Sequence, residues 1–509
     1  MSAPERPRLP DFAGRPVSLP DAPDAWELLN PGGNHRDVLL LGLGPGNPQE
    51  LPFVRAAAER GGTVFWVEDG RTLGRLRPAG FAPPGWRRLT PGEAARLSGA
   101  AVYLYRPALR LAPDFWGSII GRIDAKGAAF EPAREPSPPV WLPGEETQLL
   151  HRELRTALEE AGFSPFCGPA PRGAAELPAA WGGRLPAFAL SVNLRGMDAE
   201  GRVFHACRAL GVPVALWFVD NPWHVLPAAR LPWWREAHLF VTDASFLSGL
   251  TEYGAQSVHP LPLAVAPNMW RPLPDEAEAR SLARLAPRFV GRAAFPDRER
   301  FFAAARVPAD LLARALALTD ENAEPALLAN FHWWAQRLHV RLWPGHEVRA
   351  AGLGAERCAQ ANRARWIAAG LPLGLRVTGD ALWRELVPGC EPEPPVDYYG
   401  SLPALYRQAS AVLNVTSLLL PQSLSQRHFD VWAAGGLLLS DATRGLDIFP
   451  IELTTPITLT SRAELGPRLA SLSANPQGAL DLRRAWREHL RAAHTYGHRL
   501  AFIREKIGA

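Results

Sequence analysis

The sequence predicts an α/β protein made of two doubly wound parallel-sheet halves. Three observations carry this. Short apolar runs alternate with helix-length segments through most of the chain, as parallel sheets joined by helical crossovers require. A linker rich in proline and acidic residues, 264–287, separates two such series. Residues 396–450, VDYYGSLPALYRQASAVLNVTSLLLPQSLSQRHFDVWAAGGLLLSDATRGLDIFP, read as strand, helix, strand, polar loop, helix, double glycine and strand. Ligands of such sheets lie beyond the C-terminal strand ends and at helix N-termini, so the polar residues of this segment mark a nucleotide-sized binding region.

In chain order, residues 1–35 read as an extended arm and 36–270 as an N-terminal Rossmann-like domain. Its strands are predicted at 37–43, 63–67, 100–105, 187–192, 212–219, 237–241 and 257–261, with helices over 48–60 and 148–161. The proline-rich stretch 106–146 reads as irregular. A C-terminal Rossmann-like domain follows over 286–475, with strands at 288–290, 375–378, 397–399, 411–415, 437–440 and 457–459 and a mostly helical stretch over 298–369. The tail, 478–509, has the pattern of one long amphipathic helix.

The chemistry concentrates at the predicted strand ends. A helix is expected from Pro421 to about Ala434, ended by Gly435-Gly436. It would set Ser423, Arg427 and Asp430 on one face. A hydroxyl and free N–H groups suit a diphosphate, Arg427 adds a bidentate cation, and Asp430 is placed to accept from a ribose diol. The competing reading is a simple Arg427–Asp430 surface pair. Asp441 ends the next strand. Arg292, after Gly291, faces either the diphosphate or solvent. In the first half, a central strand ends in Asp220, Asn221 and His224, where an acceptor site or general base belongs. The glycines Gly42, Gly44 and Gly46, with Glu68-Asp69 beyond, form either a cofactor loop, a tight turn or an acceptor contact across the cleft. The pairs Trp233-Trp234 and Trp333-Trp334 read as core.

The segments YYGSLPALYRQASAVLN, QRHFDVWAAGG and LLLSD followed by RGL resemble the nucleotide-sugar half of GT-B glycosyltransferases, most of all the CgeB-like (spore-maturation-protein-like) group with a family 1/4-type C-terminal domain. The resemblance spans roughly residues 202–504 and is strong over 396–446. It implies two Rossmann-like domains facing a cleft, with a C-terminal helix crossing back. It assigns Asp430 to the donor ribose, and it places Gln422 where retaining relatives often carry glutamate. The implied activity is transfer of a sugar from a nucleoside-diphosphate sugar to a glycan, lipid-linked or surface-protein acceptor. No cofactor is expected beyond that co-substrate, and no metal, since no D-x-D motif occurs. Two alternatives stay open: an S-adenosylmethionine-dependent methyltransferase using the Gly42–Gly46 loop, and a non-catalytic sugar-nucleotide-binding protein.

Composition narrows the setting. A net charge of +4 without a Lys/Arg block argues against a nucleic-acid partner. No apolar run is long enough to span a bilayer, although peripheral membrane contact stays open. The start of the chain lacks a secretory apolar stretch. Cys167, Cys207, Cys358 and Cys390 are scattered, which excludes a C-x-x-C site and fits a reducing cytoplasm.

Overall fold

The apolar runs build three main sheets rather than two. A computed structural model describes residues 6–30, 35–77, 80, 81, 83–126, 130, 137–168, 171, 176–295 and 297–509. A short antiparallel hairpin, β1 (Arg8–Pro10) and β2 (Pro16–Ser18), comes first. The first main sheet holds β3 (Trp26–Leu28), β4 (Asp37–Leu41), β5 (Val64–Val67), β6 (Trp86–Arg88) and β7 (Ala100–Tyr105). Its order is β3-β7-β4-β5-β6, with only β3 antiparallel. The second holds β8 (Pro139–Trp141), β9 (Ser164–Phe166), β10 (Ala189–Val192), β11 (Val214–Phe218), β12 (His238–Val241) and β13 (Ser257–Pro260), all parallel, in the order β13-β12-β11-β10-β8-β9. The third holds β14 (Arg288–Val290), β15 (Arg376–Thr378), β16 (Val412–Asn414), β17 (Leu438–Asp441) and β18 (Thr458–Leu459), also all parallel, in the order β15-β14-β16-β17-β18.

The region expected as one N-terminal sheet is therefore two. The chain reaches the second sheet through a helix, Pro113–Lys126, inside the stretch read as irregular. Proline misleads there because Pro113 sits at the first helical position, where its missing N–H costs nothing. Gly117 and Gly121 of this helix face His205 of the helix Arg202–Ala209, and neither position has room for a Cβ. The two sheet units thus meet along a close glycine-lined contact. The arm also resolves into structure: β1 and β2 pair, and β3 joins the first sheet. Residues 1–5 and 31–34 of it lie outside the described residues. Residues 397–399, read as a strand, form a turn.

The second and third sheets are the cores of two Rossmann-like halves, with the first sheet as an addition. Between β14 and β15 the chain inserts the helices Ala309–Glu321, Phe331–Leu338 and Arg349–Gly370. Phe331, Trp334 and Trp343 of this insert are buried in the core shared by the first and second sheets. Trp233 and Trp234 lie in the same core, as their pairing predicts. The C-terminal half therefore reaches across and anchors itself in the N-terminal half.

The tail makes the return crossing as two helices. Pro476–Ala493 packs on the third sheet, where Trp486 stacks on Trp432 with centroids 4.9 Å apart. Tyr496–Ile507 packs Tyr496, Leu500 and Ile503 against the second sheet. Thr495 breaks the tail because its side chain caps the second helix in a reciprocal box with His498. At that break the tail meets the linker: the Val265 N–H donates to the His494 carbonyl at 3.0 Å.

Asp430 closes the crossing. Its Oδ1 accepts from the Ala266 N–H at 3.0 Å and from Gln426 Nε2 at 3.1 Å, and its Oδ2 accepts from the Tyr398 hydroxyl at 2.7 Å. Gln426 also donates to the Ala264 carbonyl at 2.7 Å and accepts from the Tyr496 hydroxyl at 3.2 Å. The linker, the tail and the helix Arg427–Ala433 are thus tied at one buried carboxylate. Asp430→Asn places an amide donor where only acceptors fit, so it should lower the unfolding free energy by about 1–3 kcal/mol, the cost of leaving buried donors unpaired. A urea-unfolding midpoint equal to that of the wild type would contradict the assignment.

Candidate active site

Within the third sheet the strand sequence runs 2-1-3-4-5, so the order reverses between β14 and β16. Ligands of open α/β sheets bind at such a reversal. The loops leaving β14 and β16 there open into a cavity of about 610 Å³, within the usual range for a small-molecule site. Arg292 and Phe295 come from the first loop, Ser417 and Leu420 from the second. Glu356 and Arg363 come from the long insert helix Arg349–Gly370. Asp220, Asn221 and His224 close it from the N-terminal half.

Asp220 is held in one direction by its neighbours. Its Oδ2 accepts from Asn193 Nδ2 at 2.7 Å. Asn193 Oδ1 accepts in turn from the Val219 N–H at 3.1 Å. Asn193 and Leu194 both adopt left-handed backbone conformations, with φ of 52° and 63°. Two such non-glycine residues in succession store strain of the sort found at functional sites. The surrounding cleft walls desolvate Asp220 and raise its pKa although its side chain is exposed to the cleft, while Asn193 and then Arg195 pull it back. The result is a carboxylate of raised basicity with a fixed direction.

The opposite wall carries positive charge. Arg292 is exposed and makes no hydrogen bond or ion pair among the described residues. Its loop is fixed from behind: the Ala293 N–H donates to Asp380 Oδ2 at 2.8 Å, and Trp383 Nε1 donates to the Gly291 carbonyl at 2.9 Å. Gly291 therefore sets the loop rather than lining the cavity. Arg363 donates to the Ala293 carbonyl at 3.0 Å and lies 3.4 Å from Glu356 Oε1. Glu356 is buried, which raises its pKa against the pull of Arg363 and Arg298.

Several expected contacts turn out to be supports. Asp430 is wholly buried, with both carboxylate oxygens engaged in the crossing, so it does not reach a ribose. Burial pushes its pKa up to about 7. Asp441, raised to about 6 by burial, accepts from the Thr416 N–H at 2.9 Å and hydroxyl at 2.7 Å. It braces the cavity loop from behind. Ser423 turns its hydroxyl to the Leu420 carbonyl at 3.0 Å. The Gln422 N–H donates to Asp243 Oδ2 at 2.9 Å, which ties the loop to the other half. The helix begins at Arg427, later than expected, because the Gln422 and Ser425 N–H groups go to Asp243 and His428 side chains instead of starting a turn. Arg427 donates from Nε to the Val290 carbonyl at 2.7 Å and from Nη1 to Asn414 at 2.8 Å. Its Nη2 points at Gly291, where a Cβ would lie 2.9 Å away.

The first half brings two further corrections. Asn221 lines the cavity, yet its Nδ2 donates to the Leu419 carbonyl at 3.0 Å and so staples the halves. His224 packs among Phe301 and Phe331, with centroids 5.3 and 5.7 Å away. Its Nε2 is buried without a partner and faces Gly352, where no Cβ fits. Burial and then Arg349 hold its pKa at about 3, so it is a neutral wall group too weakly basic to take a hydroxyl's proton effectively. The glycine loop lies elsewhere, at the strand-order reversal of the first sheet between β4 and β7. Its crevice is filled by the chain itself. Glu68 accepts the Leu43 N–H at 2.8 Å, Arg77 donates to the carbonyls of Gly44 at 3.1 Å and Gly46 at 2.6 Å, and Trp26 lies 2.7 Å from a Cβ built at Gly44. Gly44 and Gly46 are therefore not cleft residues, and the methyltransferase reading loses its cofactor crevice.

Three functional candidates escaped the sequence reading: Asn193, Glu356 and Arg363. Glu356 and Arg363 stand seven residues apart on a stretch of helix that also carries Arg357, Gln360, Asn362 and Arg365. Two helical turns place them on one face, and that polar pair was the available signal. Asn193 carried none, since only its backbone conformation reveals its task.

Among the described residues, no three His, Cys, Asp or Glu side chains come together as a metal site, and no helix is long and apolar enough to cross a membrane. Residues 358–505 match a family model described as glycosyl transferase-like. No curated protein matches the chain. A solved structure of Anabaena HepE in complex with UDP is similar at 10% identity and a TM-score of 0.34, covering 73% of this chain and 95% of that one. A likeness of that degree adds nothing to the reading of the site.

His224 offers a check on these assignments. A histidine with a depressed folded pKa contributes stability above the unfolded pKa that is lost as pH falls below it. His224→Leu should therefore remove about 2 kcal/mol of the stability loss between pH 6.5 and 4.5. Denaturant unfolding at the two pH values measures it, and an unchanged acid loss would contradict the buried neutral state.

Proposed function

We propose that the cleft binds a nucleoside-diphosphate sugar and passes the sugar to a hydroxyl of an acceptor held on the Asp220 side. The observation that carries this is the cavity itself. It lies at the strand-order reversal of the third sheet, with Arg292 and Arg363 on one wall and an oriented carboxylate on the other. The match of residues 358–505 to a glycosyl transferase-like family supports the same reading.

Arg292 and Arg363 take the diphosphate, with Arg427 beneath the β14 end as a third source of positive potential. Phe295 and Phe301 supply apolar wall for the base or sugar. Asp220 accepts the proton of the acceptor hydroxyl as its oxygen bonds to the anomeric carbon. The bond from that carbon to the diphosphate oxygen breaks, and the diphosphate leaves with the electron pair. Fixed guanidinium groups stabilise that departing charge without need of a metal ion. The acceptor class is a glycan, a lipid-linked glycan or a surface protein. The CgeB-like grouping rests on the motifs of residues 396–446.

A thermal-shift panel tests the reading. UDP or GDP should raise the melting temperature, and S-adenosylhomocysteine should not. No response to any nucleoside diphosphate would overturn the proposal, whereas nucleotide binding without sugar transfer or donor hydrolysis would favour a non-catalytic binder.

Two substitutions separate the walls. Arg363→Gln should weaken nucleoside-diphosphate binding by about 1.5–3 kcal/mol, the range for a hydrogen bond to a charged group. Asp220→Asn should leave that affinity nearly intact and cut transfer by about a hundredfold or more, as expected for loss of a general base. Calorimetry and initial rates distinguish the two effects. A reversed pattern would exchange the roles assigned to the walls.

A further inference from the structure

A second cavity, of about 700 Å³, lies away from the cleft, where four parts of the chain meet. They are the β1–β2 hairpin, the turn after β7, residues 227–231 and the segment Pro344–His346 that leads into the long insert helix. Arg15, Arg106, Arg110 and Arg230 line it from three of these parts. Glu200 is the one acidic residue among the lining side chains.

The protein only partly neutralises this charge. Arg15 and Arg110 share a single carboxylate, Asp11, at 3.2 and 3.5 Å. That carboxylate is buried and also accepts the Ala13 and Arg15 N–H groups. Arg106 donates to the backbone carbonyl of Asp24, which is neutral. The Arg230 side chain is exposed and has no hydrogen bond or ion pair among the described residues. Asp11 and Glu200 thus answer two of the four guanidinium charges. The other two face a concave space with Val17 and Leu109 in its wall, and a concave, partly apolar setting concentrates their field.

We propose that this cavity is a second anion site, taking a phosphate or diphosphate group, in solution or carried on a lipid. Planar guanidinium forks from several directions match the tetrahedral oxygens of a phosphate. The site is separate from the cleft but shares a wall with it. Residues 220–225 line the cleft and 227–231 line this cavity. Between them Trp343 Nε1 donates to the carbonyls of Leu226 at 3.2 Å and Ala229 at 2.9 Å, which closes the seam. The proposal does not depend on the activity assigned to the cleft.

Calorimetric titration of the full chain with inorganic pyrophosphate, with and without saturating UDP, tests it. Pyrophosphate should still bind when UDP is present. Arg230→Glu, at a side chain that makes no hydrogen bond or ion pair among the described residues, should weaken that UDP-insensitive binding by roughly tenfold to a hundredfold, the loss of a charge-assisted hydrogen bond. Arg106→Gln should act in the same direction, and the cleft variant Arg363→Gln should leave it unchanged. Pyrophosphate binding abolished by UDP, or equal in Arg230→Glu and wild type, overturns the proposal. Two further arms identify the source. A hexose 1-phosphate in solution and phosphatidylcholine vesicles doped with phosphatidic acid are each tested on wild type and Arg230→Glu. A response in either arm that the variant loses supports the site and names the carrier, and no response in both overturns it.

Discussion

The fold depends on how its two chain crossings are held together. The chain passes from one half to the other and back, and the cleft keeps its shape only if both passages are fixed. Here Asp430 fixes them, with Gln426 and Tyr398 as partners and the linker N–H of Ala266 as the main-chain anchor. The same helix sends Arg427 to the end of β14 and to Asn414 of β16. One short helix thereby sets the hinge on one side and the floor of the ligand cavity on the other. Burial opposes ionisation of Asp430, while three donors favour it.

Further contacts stiffen the cavity floor. Asn221 reaches the Leu419 carbonyl, Asp243 takes the Gln422 N–H, and the Phe331 N–H donates to the Leu418 carbonyl at 2.8 Å. The loop leaving β16 is therefore bound to the opposite half at two points and to the insert helix at a third. The insert adds Trp334 and Trp343 to the N-terminal core. A rigid seam also lets the strained Asn193–Leu194 turn persist, because neighbouring strands over-determine it. Pre-organisation of the carboxylate follows from that strain.

Most of the third sheet was legible in the sequence. Strands β14, β16 and β17 lie within a residue or two of their expected positions, since buried parallel strands read as short runs of leucine and valine. The split of the N-terminal region was not legible. It depends on β8 and β9, brief strands that contain proline and carry no alternation. The direction of Asp430 was also hidden. Its place on a helix was read correctly, but the helix starts at Arg427, so Ser423 never shares its face. Phe429, Val431 and Trp432 surround Asp430 in sequence and are all buried. A polar residue inside such a run is more consistent with an internal tie than with a ligand contact. Asp220 was legible for the converse reason. It follows a strand at a predictable end, and nothing apolar comes between it and the cleft.

Arginine composition made the site harder to read than its geometry does. Lysine occurs only at Lys126 and Lys506, so nearly every cation in this chain is a guanidinium. A guanidinium carries five donors and often serves as a carbonyl clamp. Arg499 holds the carbonyls of Pro262 and Leu263, Arg462 those of Thr319 and Asn322, and Arg468 those of Thr455 and Pro456. These groups are charged, yet their donors are already directed into the protein. Arg292 and Arg230 differ because no described residue takes theirs. What marks Arg292 and Arg230 among these guanidinium groups is that each lines a cavity and the fold has given its side chain no acceptor among the described residues. Sequence position cannot report that difference, because the acceptors of the others are backbone carbonyls from distant turns. The candidate anion sites of this chain are the places where the fold has left guanidinium donors unanswered.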